Sequence, residues 1–147
     1  MKVRPATGVD VQALQGVARA AYLPYVEQIG VRPGPLDTDY AAAVAEGDTW
    51  VAEQGGEIVA LLILRVHDAY VLVENIAVVP QAQGMGVGSR LLGLADDRAH
   101  REGKGEVQLF THERMTRNLA FYRRRGFRER RRERDGELAR VFMSKTL

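Results

Sequence analysis

A strand pattern, a glycine-rich loop and a helix pattern follow one another in mid-chain, and this segment constrains the fold most. Residues 70–79 are rich in Val and Ile, which favour a strand, and Pro80 ends it. Glycines at positions 84, 86 and 88 precede a helical apolar pattern from Ser89 to about Arg101. The uncovered loop amides and the positive end of the helix dipole would form a site for an anion such as phosphate.

Three phosphate-binding patterns share this layout. A P-loop needs GxxxxGK[ST], but no lysine follows these glycines. A dinucleotide fingerprint needs GxGxxG/A, and Ser89 stands where its third glycine should be. The third pattern, Q/R-x-x-G-x-G/A, is matched by Gln83, Gly86 and Gly88. Taken alone, the loop could also be a tight strand-to-helix connection that binds nothing.

The rest of the chain predicts a mixed sheet covered by helices. Periodicity predicts a helix over 9–21, with Thr7 or Asp10 as its N-cap, and a short helix over 40–45. Strands are predicted at 3–5, 49–53, 57–66, 107–111, 127–134 and 138–145, and a further helix over 118–125 ends at Gly126. The order β-α-α-β-β-β-α-β-α-β-β indicates an α/β fold.

Composition excludes several classes of protein. The 147 residues predict one domain over 1–147, and the absence of cysteine removes disulfides, thiol nucleophiles and Cys-based metal sites. The three histidines have no HxxxH spacing, so we expect no metal. No apolar run reaches the roughly 20 residues of a membrane span, and residues 1–5 lack the apolar core of a signal peptide. We therefore expect a cytoplasmic protein with no membrane partner.

Two further motifs carry a family resemblance. Ile76-Ala-Val-Val-Pro80 precedes the loop, and Asn118-Leu-Ala-Phe-Tyr122-Arg-Arg-Arg-Gly-Phe127 follows the next predicted strand. Together with the loop they resemble the GNAT superfamily of acetyl-CoA-dependent N-acetyltransferases. The resemblance implies a three-layer α/β/α fold with a mixed, mostly antiparallel sheet, in which the fourth and fifth strands splay apart around the pantetheine arm of acetyl-CoA.

The resemblance also implies roles for individual residues. The backbone around Val78 and the side chain of Asn118 would bind the pantetheine arm, and Tyr122 would lie near the sulfur. The pyrophosphate would be bound by the loop and the first helical turn, through Gln83, Gly84, Gly86, Gly88 and Ser89.

Acetyl transfer to an amine requires acid–base chemistry. At pH 7 only about one alkyl amine in 2,500 is unprotonated, so the site needs a base or a lowered amine pKa. Glu74, a carboxylate within an apolar strand pattern, is the candidate base, acting through a water; the alternative is a solvent-facing or ion-paired strand residue. Tyr122 is the candidate general acid for the departing thiolate; the alternative is a core aromatic residue.

The predicted function is N-acetylation of a primary amine by direct attack in a ternary complex, and a non-catalytic acyl-CoA-binding sensor is the alternative. Tyr22, Tyr25 and Glu27, at the end of the first predicted helix, are candidate acceptor-binding residues; packing and helix termination before Pro24 would explain them equally well. The acidic residues near this side predict a cationic acceptor. A homodimer is a further possible partner, because many members of the superfamily dimerise.

Charge is distributed unevenly along the chain. Residues 1–82 carry 5 basic and 10 acidic residues, whereas residues 83–147 carry 16 and 9. Ten of the arginines fall between Glu113 and Arg134. They are explained by a solvated basic surface, by contact with the CoA 3′-phosphate or, least favoured, by nucleic-acid binding.

Overall fold

Seven strands form one sheet. They are β1 (Lys2–Pro5), β2 (Thr49–Gln54), β3 (Glu57–Val66), β4 (Val71–Val78), β5 (Glu106–His112), β6 (Arg128–Asp135) and β7 (Leu138–Thr146), in the spatial order β1-β2-β3-β4-β5-β7-β6. Four α-helices accompany them: α1 (Val11–Ile29), α2 (Tyr40–Glu46), α3 (Val87–Arg101) and α4 (Thr116–Arg124). The computed structural model describes residues 1–30, 32–136 and 138–147. The Pro/Gly-rich segment 30–35 predicts a loop, and Val31 within it lies outside the described residues.

The strands β4 and β5 are parallel, while the other described strand pairs are antiparallel. They pair only from Val71 opposite Val107 to Val73 opposite Leu109. Beyond that point both strands continue, β4 for five residues and β5 for three, without pairing to each other. This divergence, in a mostly antiparallel sheet, confirms the predicted fold class.

A β-bulge accompanies the divergence. The register of β3 against β4 shifts between Ile63, opposite Asn75, and Leu64, opposite Val73, so Glu74 is the extra residue of β4. A bulge bends its strand and changes where a side chain points. Here it lies at the first residue of β4 beyond the last pair with β5.

Both faces of the sheet are covered because β3 is apolar on both. Its residues 61–64 are at most 1% exposed, although adjacent residues point to opposite faces. Leu61 and Ile63 pack with α1 and α2, and Leu62 and Leu64 pack with α3 and α4. The result is the predicted three-layer α/β/α arrangement.

The prediction that the first helix ends at residue 21 is wrong. The helix α1 continues through Pro24 to Ile29 and ends at Gly30, whose φ of 73° is left-handed and whose N–H donates to the carbonyl of Val26. Pro24 removes one hydrogen bond from within the helix. Ile29 is only 2% exposed, and the burial of its side chain stabilises the two helical turns that follow residue 21. Tyr22, Tyr25 and Glu27 therefore lie within the helix.

Both predicted N-cap residues are used at the start of α1. Thr7 precedes a 3₁₀ turn over Gly8–Asp10, and Asp10 is the N-cap of α1. Among the described residues, no helix is long and apolar enough to cross a membrane.

Candidate active site

A cavity of about 540 Å³ opens where β4 and β5 diverge. Its walls come from α1, the segment 32–39, α2, β3, β4, β5, α4 and β7. Four of the predicted site residues line it: Tyr22, Glu74, Asn118 and Tyr122. Tyr25, half-buried, and Glu27, exposed, do not line it.

Tyr122 and Asn118 reach the cavity from one face of α4, because residues four apart lie one above the other on a helix. Tyr122 is 6% exposed, and its ring meets those of Phe121 and Phe127 edge-on at 5.5 and 5.9 Å. Burial raises the pKa of its phenol well above the usual value, so the hydroxyl keeps its proton. Asn118 Nδ2 lies 3.9 Å from the sulfur of Met115 and donates to it.

Glu74, the bulge residue, is held by an arginine. Its carboxylate Oε2 lies 3.5 Å from Arg65 Nε, and its side chain is 45% exposed. Arg65 also binds Glu46 Oε2 at 2.9 Å and donates to the carbonyls of Gly47 and Leu64. This arginine is thus fixed between two cavity-lining carboxylates and orients Glu74 toward the cavity.

A buried polar network that sequence reasoning missed forms part of the cavity wall. Asn75 is 6% exposed; its Nδ2 donates to Tyr40 Oη, and its Oδ1 accepts from Tyr22 Oη, both at 3.0 Å. The Tyr22 hydroxyl also lies 2.9 Å from the carbonyl of Ile76, and Tyr40 donates to the carbonyl of Pro35 at 2.7 Å. An Asn beside Glu74 within an otherwise apolar predicted strand was the available signal.

These hydrogen bonds link α1, α2 and the turn before α2 to the part of β4 that pairs with β3 but no longer with β5. Burial raises the pKa of the Tyr22 phenol, which therefore stays neutral. With its hydroxyl held by β4, Tyr22 forms a wall of the cavity.

The glycine loop follows the end of β4 that is not paired with β5. Gly84 and Gly86 have φ of 80° and 84°, a conformation that other residues adopt only with strain. A Cβ at Gly88 would lie 3.0 Å from Cζ of Phe121, so a side chain there would separate α3 from α4. Gly84 and Gly86 are thus required by the loop conformation, whereas Gly88 is required by the packing of α3 against α4.

The start of α3 presents unpaired amides. The first hydrogen bond of the helix runs from Arg90 N–H to the carbonyl of Gly86 at 3.1 Å, so the amides of residues 87–89 precede it. Gln83 Nε2 donates to the carbonyl of Val78 at 3.0 Å and fixes the loop against the strand. Free amides, a helix dipole and glycines that leave the backbone accessible suit a pyrophosphate.

A second groove, of about 670 Å³, adjoins the first turn of α3. Arg124, Arg125 and Lys145 line it, and Lys145 Nζ pairs at 2.7 Å with Oδ2 of Asp96, which is also in the lining. Arg125 Nε donates to Ser89 Oγ at 2.7 Å, and its guanidinium lies 3.7 Å over the Phe121 ring. Burial, and after it the charge of the neighbouring Arg124, lower the pKa of Arg125.

The arginine-rich segment is an edge strand with its own counterions. All eight residues of β6 are exposed. Arginines of this strand pair with Glu106, Glu113 and Glu129 at 3.1, 3.0 and 2.9 Å. These pairs favour a solvated basic surface over a nucleic-acid site. Among the described residues, no group of three His, Cys, Asp or Glu side chains could hold a metal ion.

The fold and the site define an α/β protein with a cavity between diverging parallel strands and a glycine loop whose amides suit a pyrophosphate. A family model described as an acetyltransferase (GNAT) domain matches residues 45–129. The chain belongs to the GNAT acetyltransferase family, whose acyl donor is acetyl-CoA. The recognition made from the sequence motifs is therefore confirmed.

Solved structures share the fold. A GCN5-related N-acetyltransferase from Rhodopseudomonas palustris has a TM-score of 0.82 and 18% identity, over 99% of this chain and 95% of its own. The PaiA N-acetyltransferase from Thermoplasma acidophilum, in complex with coenzyme A, has a TM-score of 0.76 and 17% identity, over 99% and 98%.

Naa50 from Arabidopsis thaliana, in complex with a bisubstrate analogue in which CoA is joined to a peptide, has a TM-score of 0.76 and 19% identity, over 99% and 98%. No protein of curated function matches the sequence significantly.

Proposed function

We propose that this protein transfers the acetyl group of acetyl-CoA to a primary amine by direct attack in a ternary complex. One observation carries the proposal. The gap between β4 and β5 leads from the free amides of α3 to a cavity that holds both a buried phenol, Tyr122, and a carboxylate, Glu74. The amine acceptor would enter from the side of α1 and α2.

The residues at the gap fit the coenzyme. The backbone of β4 near Val78 and the side chain of Asn118 would bind the pantetheine arm. The pyrophosphate would lie on the amides of Gly84, Gly86, Gly88 and Ser89, with Gln83 alongside. Arg124, which has no carboxylate partner among the described residues, is suited to the 3′-phosphate. Acetyl-CoA supplies an acetyl group activated as a thioester.

Tyr122 is the proposed proton donor to the departing sulfur. Burial raises the pKa of this phenol, which by itself makes proton transfer harder. The same desolvation raises the pKa of a thiol placed beside it, so the two acids shift in the same direction. The hydroxyl would thus be protonated when needed and would stabilise the thiolate by a hydrogen bond before transfer.

Glu74 is the proposed base, taking the amine proton through a water. Its exposure leaves room for that water, and Arg65 sets its direction. On the acceptor side we propose Tyr22 as a wall of the site. Tyr25 and Glu27 lie outside the cavity lining, so a contact from either would come from the approach to the site.

Acetyl-CoA-dependent thiol release with a panel of primary amines tests the proposal. We expect turnover with at least one amine, a loss of about 100- to 10,000-fold in kcat for Tyr122→Phe and an unchanged Kd for acetyl-CoA. For Glu74→Gln we expect the acidic limb of the pH–rate profile to move.

Full activity of Tyr122→Phe would exclude the acid role, and an unmoved acidic limb would exclude Glu74. Acetyl-CoA binding without turnover of any amine would instead support the non-catalytic sensor.

A further inference from the structure

The carboxylates of the cavity and one of its arginines, Arg140, lie on different sides. Carboxylates line the side formed by α2 and β4, where Asp39, Glu46 and Glu74 stand. The opposite side, formed by β5 and β7, carries Arg140 together with two exposed apolar side chains, Phe110 and Leu138. An acceptor in the cavity would therefore meet acidic groups at one end and a cation beside an apolar surface at the other.

Three arginines line the cavity, and two of them are neutralised within the protein. Arg32 Nε lies 2.8 Å from Asp37 Oδ1. Arg65 lies between Glu46 and Glu74, as described above. Neither guanidinium is available to an anionic ligand without giving up a carboxylate.

Arg140 differs from both. Among the described residues it has no carboxylate within 4.0 Å, and its guanidinium carbon lies 5.1 Å from the centroid of the Phe110 ring. The nearby carboxylates are already engaged, because Glu133, opposite Arg140 on β6, pairs with Arg131, and Glu113 pairs with Arg134. Arg140 thus lines the cavity with a guanidinium that has no ion pair within the described part of the chain.

We propose that the acceptor bears a carboxylate as well as its amine, and that Arg140 binds this carboxylate. The inference rests on the proposed acetyl transfer. A guanidinium that lies against an aromatic ring offers a planar pair of donors that suits a carboxylate. The site would then take an amino acid or a similar amino-carboxylate, with its amine directed toward Glu74 and its carbon skeleton against Phe110 and Leu138.

The distance between Glu74 on β4 and Arg140 on β7 determines how long the acceptor can be. The strands β4 and β7 are separated by β5, so their backbones lie roughly 10 Å apart, and the divergence of β4 adds to this. The arginine side chain shortens the gap. The panel should therefore include both α-amino acids and longer ω-amino acids.

The test compares acceptors that differ only in the carboxylate. Thiol release is measured with the twenty L-amino acids, β-alanine, 4-aminobutyrate and 6-aminohexanoate, each beside its carboxamide. We expect at least one acid to exceed its amide by about 10-fold or more in kcat/KM, as for a charge-assisted hydrogen bond. In Arg140→Gln this preference should disappear, while kcat/KM for the amide stays within about 3-fold.

Arg128→Gln is the matched control, because Arg128 is an exposed arginine of β6 that has no ion pair among the described residues and does not line the cavity. It should keep the preference for the acid. Equal rates for acid and amide in the wild type, or equal losses for both in Arg140→Gln, would overturn the inference while leaving the acetyl transfer intact.

Calorimetric titration of the CoA-bound protein with the same pairs separates the two proposals. If no amine is acetylated, binding of an acid but not of its amide, lost in Arg140→Gln, would still support the carboxylate site. No difference in binding would refute it.

Discussion

Gly88 has no side chain, and this allows α3 and α4 to pack closely together. A Cβ there would lie 3.0 Å from Cζ of Phe121, whose ring also contacts Arg125 and, edge-on, Tyr122. We expect Gly88→Ala to displace Phe121, to lower stability by about 1–3 kcal/mol and to weaken acetyl-CoA binding, because the first turn of α3 moves.

Gly93, in the same helix, is the control for this prediction. A Cβ at Gly93 meets nothing within 4 Å, so Gly93→Ala should stabilise the protein by about 0.5–1 kcal/mol through helix propensity alone. Urea unfolding and CoA titration of the two variants provide the measurements. Equal stabilities for both would show that contact with Phe121 is not the constraint.

Of two residues in the cavity wall, Tyr122 was predicted from the sequence and Asn75 was not. The motif around Tyr122 identified a residue that the structure places in the cavity. Asn75 was missed because its partners, Tyr22 and Tyr40, are 53 and 35 residues away along the chain. Spacing along a sequence cannot show which distant hydroxyls will meet a buried amide.

At the scale of elements, an ion-pair network joins β1, β2 and the start of α1. Arg4 donates to both oxygens of Asp10, at 2.8 and 3.0 Å, and to Glu53 at 2.8 Å. Asp10 also accepts from the Thr7 N–H at 2.7 Å, and its side chain is only 6% exposed. The Arg4 hydrogen bond is the main cause that lowers the pKa of Asp10 from 3.8 to about 2.

This shift predicts a dependence of stability on pH. Because the folded pKa of Asp10 lies below its unfolded value, the stabilisation is complete above about pH 5 and is lost as the pH falls from 4 toward 2. Asp10→Asn should cost about 2 kcal/mol at pH 7, and its difference from the wild type should shrink at pH 3.

Urea unfolding at pH 7, 4 and 3 measures this difference. The control is Asp97→Asn in α3, since Asp97 is exposed and has no ion pair among the described residues. A difference for Asp10→Asn that stayed constant with pH would contradict the assignment.

The helix α1 and the strand β6 show two ways in which elements depend on their surroundings. Local preference predicted an end of α1 before Pro24, but burial of Ile29 carried the helix onward. The alternating charges of β6 look like a site for a polyanion, but on the folded sheet edge glutamates of β5, β6 and the loop after β5 neutralise several of them.

At the scale of the whole molecule, the gap between β4 and β5 leaves backbone groups of both strands without sheet partners in this part of the ladder. A ligand that pairs with them binds the folded state alone and must stabilise it. At 100 times its Kd, acetyl-CoA should add about 2.7 kcal/mol, which for a chain of this size raises Tm by roughly 5–10 °C.

Thermal unfolding with and without acetyl-CoA checks this expectation. If Arg124 contacts the 3′-phosphate, dephospho-CoA should give a smaller rise than CoA at the same concentration, and Arg124→Gln should remove the difference between these two ligands. A Tm that did not change with millimolar acetyl-CoA would contradict the assignment of the gap as its binding site.

The sequence by itself determined the element order, the glycine loop with its helix, and the family, because these depend on residues that are close along the chain. The periodicity of apolar residues and the positions of glycine act locally, so they can be read without the fold.

Tertiary structure alone decided the bulge at Glu74, the network around Asn75, the partners of the arginines and the cavity that brings Arg140 opposite Glu74. These depend on strand register and on contacts between residues far apart in the chain. Register is set by the packing of the whole sheet, and a shift of one residue would turn each side chain to the other face.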